Sequence, residues 1–306
     1  MTTAPIILFV YNRPLHTRRT VEALLKNELA SESDLIVYSD APKTPKIADA
    51  VREVRDYIRA LAGFHSVSIV ERDRNWGLAG SIIDGVTTVV NKYGRIIVLE
   101  DDIVVSPHFL DYMNVGLNQY EYDDRVMQIS GYMFPLASDL DDDAIFLPFI
   151  TSWGWATWQR AWQLFDPSCA AWSQIKTDGD AVEAFDLGGA YPYSSMLEAQ
   201  LRGEIDSWAI RWYLSVFAQQ GLVLFPRRTL VLNSGLEGSG THGKGPRSWK
   251  MNRPSDDFVV RIFPKEVALS PMFRKVAAAI SQSSPSYVSS FCGWLYGILA
   301  RVQGAG

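Results

Sequence analysis

Four short apolar runs in the first hundred residues, separated by amphipathic stretches, restrict this chain to an α/β layout more than any other feature. The runs lie at 6–10, 35–38, 67–70 and 96–99. Each is too short for a buried helix, and all but the third, which Ser68 interrupts, are too uniformly apolar for a strand with one wet face. Together they have the character of parallel strands covered on both sides. Between them, 17–27 carries Val21, Leu24 and Leu25 at helical spacing, and 47–62 carries Val51, Val54, Ile58 and Leu61 on one face. Residues 77–93 form a third helical stretch. A β-α-β-α-β-α-β order implies a doubly wound, mostly parallel sheet, and such sheets bind ligands beyond the carboxyl ends of their strands.

The pattern changes after residue 105. Helices are expected at 107–120, 193–202 and 208–220, with strands at 125–131, 222–225 and 229–232. Most of the ten Trp residues lie between Trp153 and Trp249. Aromatic faces stack on the apolar faces of sugar rings, although Trp residues fill cores equally well. Residues 236–253 form a Gly-rich polar loop. The tail from 281 is Ser-rich and then aromatic (Phe291, Trp294, Tyr296), suited to docking on the body or to peripheral contact with a membrane surface.

Composition narrows the function classes. The 306 residues are 47% hydrophobic with a net charge of −5, which supplies a sizeable core and argues against whole-protein affinity for nucleic acid. Two cysteines without a CxxC spacing exclude a disulfide framework and suit a reducing compartment. The run at 6–10 is too short for a secretory leader, and no window reaches the length of a membrane span. A cytoplasmic setting is therefore expected, at most along the inner face of a membrane.

Glu100-Asp101-Asp102 directly follows the fourth apolar run. Three adjacent carboxylates at the mouth of a buried strand repel one another, and a divalent cation relieves that repulsion. Hard oxygen ligands suit Mg²⁺ or Mn²⁺, which commonly bridge to phosphates. If the backbone stays extended, Glu100 and Asp102 face one way and Asp101 the other. A solvated acidic loop is the plain alternative, as the run Asp139 to Asp143 illustrates.

A strand ending in Leu-Glu-Asp-Asp resembles the DxD-type metal motif of GT-A glycosyltransferases, in the variant used by N-acetylglucosaminyltransferase I. Other segments recur in the same order. Val10-Tyr11-Asn12-Arg13-Pro14 is similar to a donor-binding opening, and Ser39-Asp40 to a base-contacting acid. Arg74-Asn75-Trp76-Gly77 is similar to a stretch of family-2-like enzymes. Ser152-Trp153-Gly154-Trp155, Asp206-Ser207-Trp208-Ala209-Ile210-Arg211 and Gly240-Thr241-His242-Gly243 resemble later segments. The chain departs from the pattern at Ser207, where the family has a second Asp, and in a Trp208-to-Arg211 spacing longer by one.

This resemblance implies a GT-A (Rossmann-like) sheet with a Trp-rich acceptor side. It implies a nucleotide-sugar-binding half at 1–105, an acceptor and catalytic half at 106–255, and an extension at 256–306. The implied activity is inverting transfer of a hexosyl or N-acetylhexosaminyl group from a nucleotide-diphosphate sugar, UDP-linked by expectation, to a glycan or glycoconjugate hydroxyl, as in polysaccharide biosynthesis. Asp102 and His242 would hold Mn²⁺ or Mg²⁺. Val10, Tyr11, Asn12, Arg13, Asp40, Asn75, Gly77, Ser81, Glu100 and Asp101 would bind the donor, with Arg13 offering a planar fork to the diphosphate. Lys244 and Arg247 could neutralise phosphate. Trp153, Trp155 and Trp158 would line the sugar or acceptor subsite. Asp206 would act as general base, steadied by Arg211, with Glu204 in reserve. Plainer roles stand beside these: a surface ion pair for Arg13, a turn for Asp40, a helix start for Gly77, an exposed loop for His242 and an N-cap for Asp206. Two rivals remain, a nucleotidyltransferase and a non-catalytic carbohydrate-binding module. The lack of Gly in Tyr11-Asn12-Arg13-Pro14-Leu15 argues against the first, and the intact acids against the second.

Overall fold

The four apolar runs become the parallel core of an eight-stranded sheet in a computed structural model, which describes residues 3–136, 143–236 and 253–282. The first half contains β1 (Ile6–Val10), α1 (Pro14–Leu24), β2 (Asp34–Ser39), α2 (Ala48–Arg59), β3 (Ser66–Glu71), α3 (Gly77–Tyr93), β4 (Arg95–Glu100) and the short β5 (Ile103–Val105). The second contains α4 (Phe109–Gln119), β6 (Val126–Ser130), β7 (Ala144–Leu147), β8 (Trp155–Trp158), α5 (Gln159–Trp162), α6 (Trp172–Ile175), α7 (Gly179–Phe185), α8 (Tyr193–Leu201), α9 (Trp208–Ala218), β9 (Leu222–Pro226), β10 (Val231–Asn233) and α10 (Phe273–Gln282).

The strand order is β3-β2-β1-β4-β8-β6-β9-β7. β1 pairs in parallel with β2 and β4, and β2 with β3. β8 is antiparallel to both β4 and β6, so β6 runs the same way as β4. β9 is parallel to β6, and the edge strand β7 is antiparallel to β9. The carboxyl ends of β1 to β4, β6 and β9 therefore share one edge. This is the mixed α/β, mostly parallel architecture expected of a GT-A fold, and the sheet runs through both halves of the chain.

Every residue of β1 is buried. β3, at the edge, is at most half-buried. The helices obey the spacing rule: Val51, Val54 and Ile58 of α2 face the sheet. α3 closes with Gly94 in the left-handed conformation, its amide donating to the Val90 carbonyl. α1 starts earlier than its apolar spacing suggested, because Pro14 occupies the first helical turn.

Two corrections concern the Trp-rich region. Trp155 and Trp158 begin and end β8 and are core residues, 1% and 2% exposed. Trp155 stacks on Trp208 with ring centroids 5.2 Å apart, and the Trp158 indole donates to the Leu117 carbonyl. Neither lines an open subsite. A second small sheet joins β5 to β10, pairing Ile103 with Asn233. Residues 256–282 lie against the body through Tyr120 to the Pro264 carbonyl and Arg125 to the Val267 carbonyl. Among the described residues no helix is long and apolar enough to cross a membrane.

Candidate donor and acid site

β4 delivers its three acids to the carboxyl edge of the sheet, and all three are buried there. The strand ends at Glu100, and Asp101–Asp102 form a turn into β5. The expected alternation of side chains therefore stops after Glu100, and Asp101 and Asp102 turn to the same partner. Arg13 Nη2 lies 2.6 Å from Asp101 Oδ1, and Arg13 Nη1 lies 2.8 Å from Asp102 Oδ2. The turn is pinned from both sides. Thr20 of α1 donates to the Asp101 carbonyl, and the Ser234 amide and hydroxyl both donate to the Asp102 carbonyl. The Tyr11 amide donates to the Asp101 carboxylate.

Charge in this turn is unbalanced: three carboxylates face one guanidinium. Burial, followed by the neighbouring Asp102 and Asp101, pushes the Glu100 carboxyl well above its usual range. Burial also pushes Asp101 up, to about 6, although Arg13 pulls against it. Burial disfavours the Arg13 cation, yet the acids together hold its pKa above the ordinary value. Each acid keeps one buried oxygen without a protein partner: Glu100 Oε1, Asp101 Oδ2 and Asp102 Oδ1. Such orphaned oxygens are costly unless a ligand meets them. Hard anionic oxygens of this kind fit Mg²⁺ or Mn²⁺. Among the described residues no three His, Cys, Asp or Glu side chains form a ready-made metal cage. Those ions do not require one, since substrate phosphates and water complete their shells.

The turn after β10 closes over the pair. A Cβ on Gly235 would sit 2.5 Å from Asp102 Oδ2 and 3.3 Å from Arg13 Nη1, so only glycine admits this approach. Asn233 Oδ1 accepts from the Gly235 amide, and its Nδ2 is buried without a partner. His16, one helical turn beyond Arg13, is buried beside Arg13, Asp102 and the Ser234 carbonyl, with Nε2 unpartnered. Burial and then Arg13 push its imidazole below its ordinary pKa, so it adds no positive charge. Sequence reading missed His16, Asn233, Ser234 and Gly235. The i, i+3 spacing of Arg13 and His16 was the available signal for the first. His242, Lys244 and Arg247 lie outside the described residues, as does the aromatic tail expected to touch a membrane.

The Asp40 carboxylate is engaged by the protein itself. It accepts from the Ala41, Trp76 and Gly77 amides and from Asn75 Nδ2, at 2.9 to 3.2 Å. It joins the carboxyl end of β2 to the start of α3, and Asn75 also donates to the Ala41 carbonyl. Gly77 opens α3 at φ +71, which a side chain would strain. Burial pushes the Asp40 carboxyl up despite these donors. Ser81 is buried on α3. Asn12 lies partly exposed in the bend between β1 and α1, the Val10 carbonyl accepts from the Asp40 amide, and the Tyr11 hydroxyl accepts from the Lys43 amide. Arg72, not foreseen, lies over the rings of Tyr38 and Trp76 at 4.9 and 4.1 Å and pairs with Asp84.

On the acceptor side, the helix cap is Ser207 and not Asp206: the Ser207 hydroxyl accepts from the Ile210 amide. Asp206 is 61% exposed and pairs with Arg211 at 2.8 Å. Its carboxylate is thus held by a cation and open to solvent. The stack of Trp208 on Trp155, whose partner in β4 is Val98, sets this segment at the same sheet edge as the acids. Glu204 is tied to Arg202. Trp153 is buried as well: it packs against the Tyr132 ring at 4.5 Å and, with Phe134, Tyr191 and Tyr193, lines a small pocket just beyond the end of β6.

A search of curated proteins found no match. Among solved structures, a UDP-glucose pyrophosphorylase complexed with UDP-glucose overlaps at a TM-score of 0.41 and 11% identity, covering 76% of this chain and 94% of that one. TarS of S. aureus overlaps at 0.38 and 11%, covering 74% and 36%. The mannosyltransferase PcManGT from Pyrobaculum calidifontis, in complex with GDP-Man and Mn²⁺, overlaps at 0.34 and 12%, covering 72% and 70%. These overlaps are too loose to bear on activity. The likeness to N-acetylglucosaminyltransferase I rests on sequence motifs alone. Residues 6–134, which contain the parallel strands, Arg13, Asp40 and the acid turn, match the model of Glycosyl transferase family 2, and that match supports a family-2-like GT-A fold and a sugar-transferring enzyme.

Proposed function

We propose that this chain is an inverting, metal-dependent glycosyltransferase that takes a sugar from a nucleotide-diphosphate donor, UDP-linked by preference, to a glycan or glycoconjugate hydroxyl. The observation that carries the reading is the acid turn: three consecutive buried carboxylates at the carboxyl end of β4, each with one oxygen unmet by protein, beside a single arginine. Asp101 and Asp102, with Glu100 behind them, would hold Mn²⁺ or Mg²⁺. The cation, when bound, would offset charge on the departing diphosphate. Arg13 adds a second positive charge at the same place.

The acceptor hydroxyl must lose a proton as it attacks. Asp206 is suited to take it, being a solvent-facing carboxylate oriented by Arg211. The capping role that would otherwise account for an acid before α9 already belongs to Ser207. Attack from the side opposite the diphosphate gives inversion. The cytoplasmic setting expected from the sequence belongs to this proposal as well.

The test is hydrolysis of UDP-sugars in the absence of acceptor. Slow, Mn²⁺-dependent release of UDP should disappear in Asp102→Ala. A thermal-shift panel of nucleotide diphosphates with and without Mn²⁺ that leaves the unfolding temperature unmoved throughout would sink the reading.

A further inference from the structure

We propose that Arg13 is a built-in cation of the acid turn, which keeps divalent-cation affinity low until a diphosphate arrives and thereby couples the two binding events. This rests on the donor-site reading above and adds a mode of control to it.

The geometry is specific. The two Nη atoms of Arg13 each take one oxygen of a different carboxylate, leaving Asp101 Oδ2 and Asp102 Oδ1 unmet. The pair is not an adaptable surface contact. Arg13 is fixed where its carbonyl accepts from the Thr17 amide and hydroxyl at the start of α1, and the acid turn is fixed by Thr20 and Ser234. The guanidinium lies on the outer side: its side chain is 29% exposed, against 4% for Asp101 and 0% for Asp102. A ligand entering from solvent meets Arg13 before it meets the acids.

Two opposed effects follow. Toward a bare divalent cation, Arg13 is a like charge at the mouth of the site and weakens binding. Toward a diphosphate, it is an attractive charge with a planar fork. Once the diphosphate engages the guanidinium, the acids regain their pull on the cation. Linkage is reciprocal, so the cation strengthens diphosphate binding by the same factor. Even with water-like screening, a unit charge and a divalent charge roughly 6 Å apart repel by an amount worth about tenfold in affinity.

Mn²⁺ binding, read directly by electron paramagnetic resonance of the free ion at pH 8, separates the possibilities. Mn²⁺ alone should bind Arg13→Met about tenfold more tightly than wild type, and Arg13→Lys, which keeps the charge, within about threefold of wild type. Adding UDP should raise Mn²⁺ affinity in wild type and raise it much less in Arg13→Met. Arg13→Gln carries the same expectation and replaces Arg13→Met should circular dichroism show the latter unfolded. Mn²⁺ binding to the neutral variants no tighter than to wild type, or an undiminished UDP effect in them, overturns the coupling. Wild-type Mn²⁺ binding in the Asp101→Asn, Asp102→Asn double variant overturns the donor-site reading itself.

Discussion

Asp40 offers a sharp test of whether its carboxylate serves the fold or a ligand. Asp40→Asn keeps size and shape and replaces one carboxylate oxygen by an NH₂ group. In the native site Oδ1 accepts from the Ala41 and Trp76 amides, while Oδ2 accepts from the Gly77 amide and Asn75 Nδ2, with Trp76 as a shared donor. With the new NH₂ at Oδ2, the Gly77 amide and Asn75 Nδ2 face another donor; with it at Oδ1, the Ala41 amide does, and the Trp76 amide keeps only its 3.2 Å contact to Oδ2. A hydrogen bond to a charged group contributes about 1.5–3 kcal/mol. The expected loss is about 3 kcal/mol, allowing for partial relaxation, or a fall of ~5 °C in unfolding temperature for a chain of this length. Asn and Asp are near equals as simple helix caps, so a cap-only view expects almost no change. A purely ligand-binding Asp40 likewise leaves stability intact and weakens nucleotide affinity alone. Urea and thermal unfolding followed by circular dichroism decide the matter. A variant within about 0.5 kcal/mol of wild type refutes the view that Asp40 ties β2 to α3.

Three further outcomes are expected. The raised Asp101 carboxyl, at about 6 against 3.8 unperturbed, binds its proton more tightly in the folded state, so its contribution to stability is greatest below pH 4 and falls as pH rises toward 6. Asp101→Asn should remove this part of the pH dependence, about 3 kcal/mol at most, in unfolding titrations from pH 4 to 8; identical slopes in both proteins would refute it. Asp206→Asn should lower acceptor transfer by roughly 10²–10⁴ in steady-state kinetics without moving the unfolding midpoint, while Ser207→Ala should cost about 1 kcal/mol of stability; the base assignment fails if Asp206→Asn transfers at the wild-type rate. Gly235→Ala drives a methyl against Asp102 Oδ2, which is fully buried and bound to Arg13, so a loss of about 1–3 kcal/mol should appear in urea unfolding; wild-type stability would show that the turn yields freely.

The parallel half of the sheet was legible because its strands are buried on both faces, so the apolar runs alone identify β1, β2 and β4. α3 was legible to the residue because Gly77 and Gly94 bound a periodic stretch. β5, β7 and β8 were not, and the expected strand at 229–232 overlaps β10 only in part. They have three or four residues each, too few for any period to declare itself, and the Trp-rich composition of β8 mimics a binding surface as well as a core. At the site, the acids were visible as a cluster at a strand end, but their directions were not. The alternation rule assumes an extended chain, and the chain turns after Glu100. The tie made by Asp40 was hidden for another reason: its main partners are the amides of Trp76 and Gly77, and backbone donors leave no trace in side-chain identity. His16 was within reach, one turn from Arg13, but a single His on a helix has no signature until Ser234 is brought beside it from far along the chain.

The placement of β8 has a consequence for fragments of this protein. The match to the glycosyl transferase family 2 model ends at residue 134, yet β4 and β6 do not pair with each other; Trp155–Trp158 fills the lane between them and hydrogen-bonds to both. A polypeptide cut at 134 would carry two apolar strands with bare edges facing an empty slot, the arrangement that recruits neighbouring chains into aggregates. An expressible minimal unit must extend beyond residue 158, so the recognisable region and the self-sufficient region have different ends.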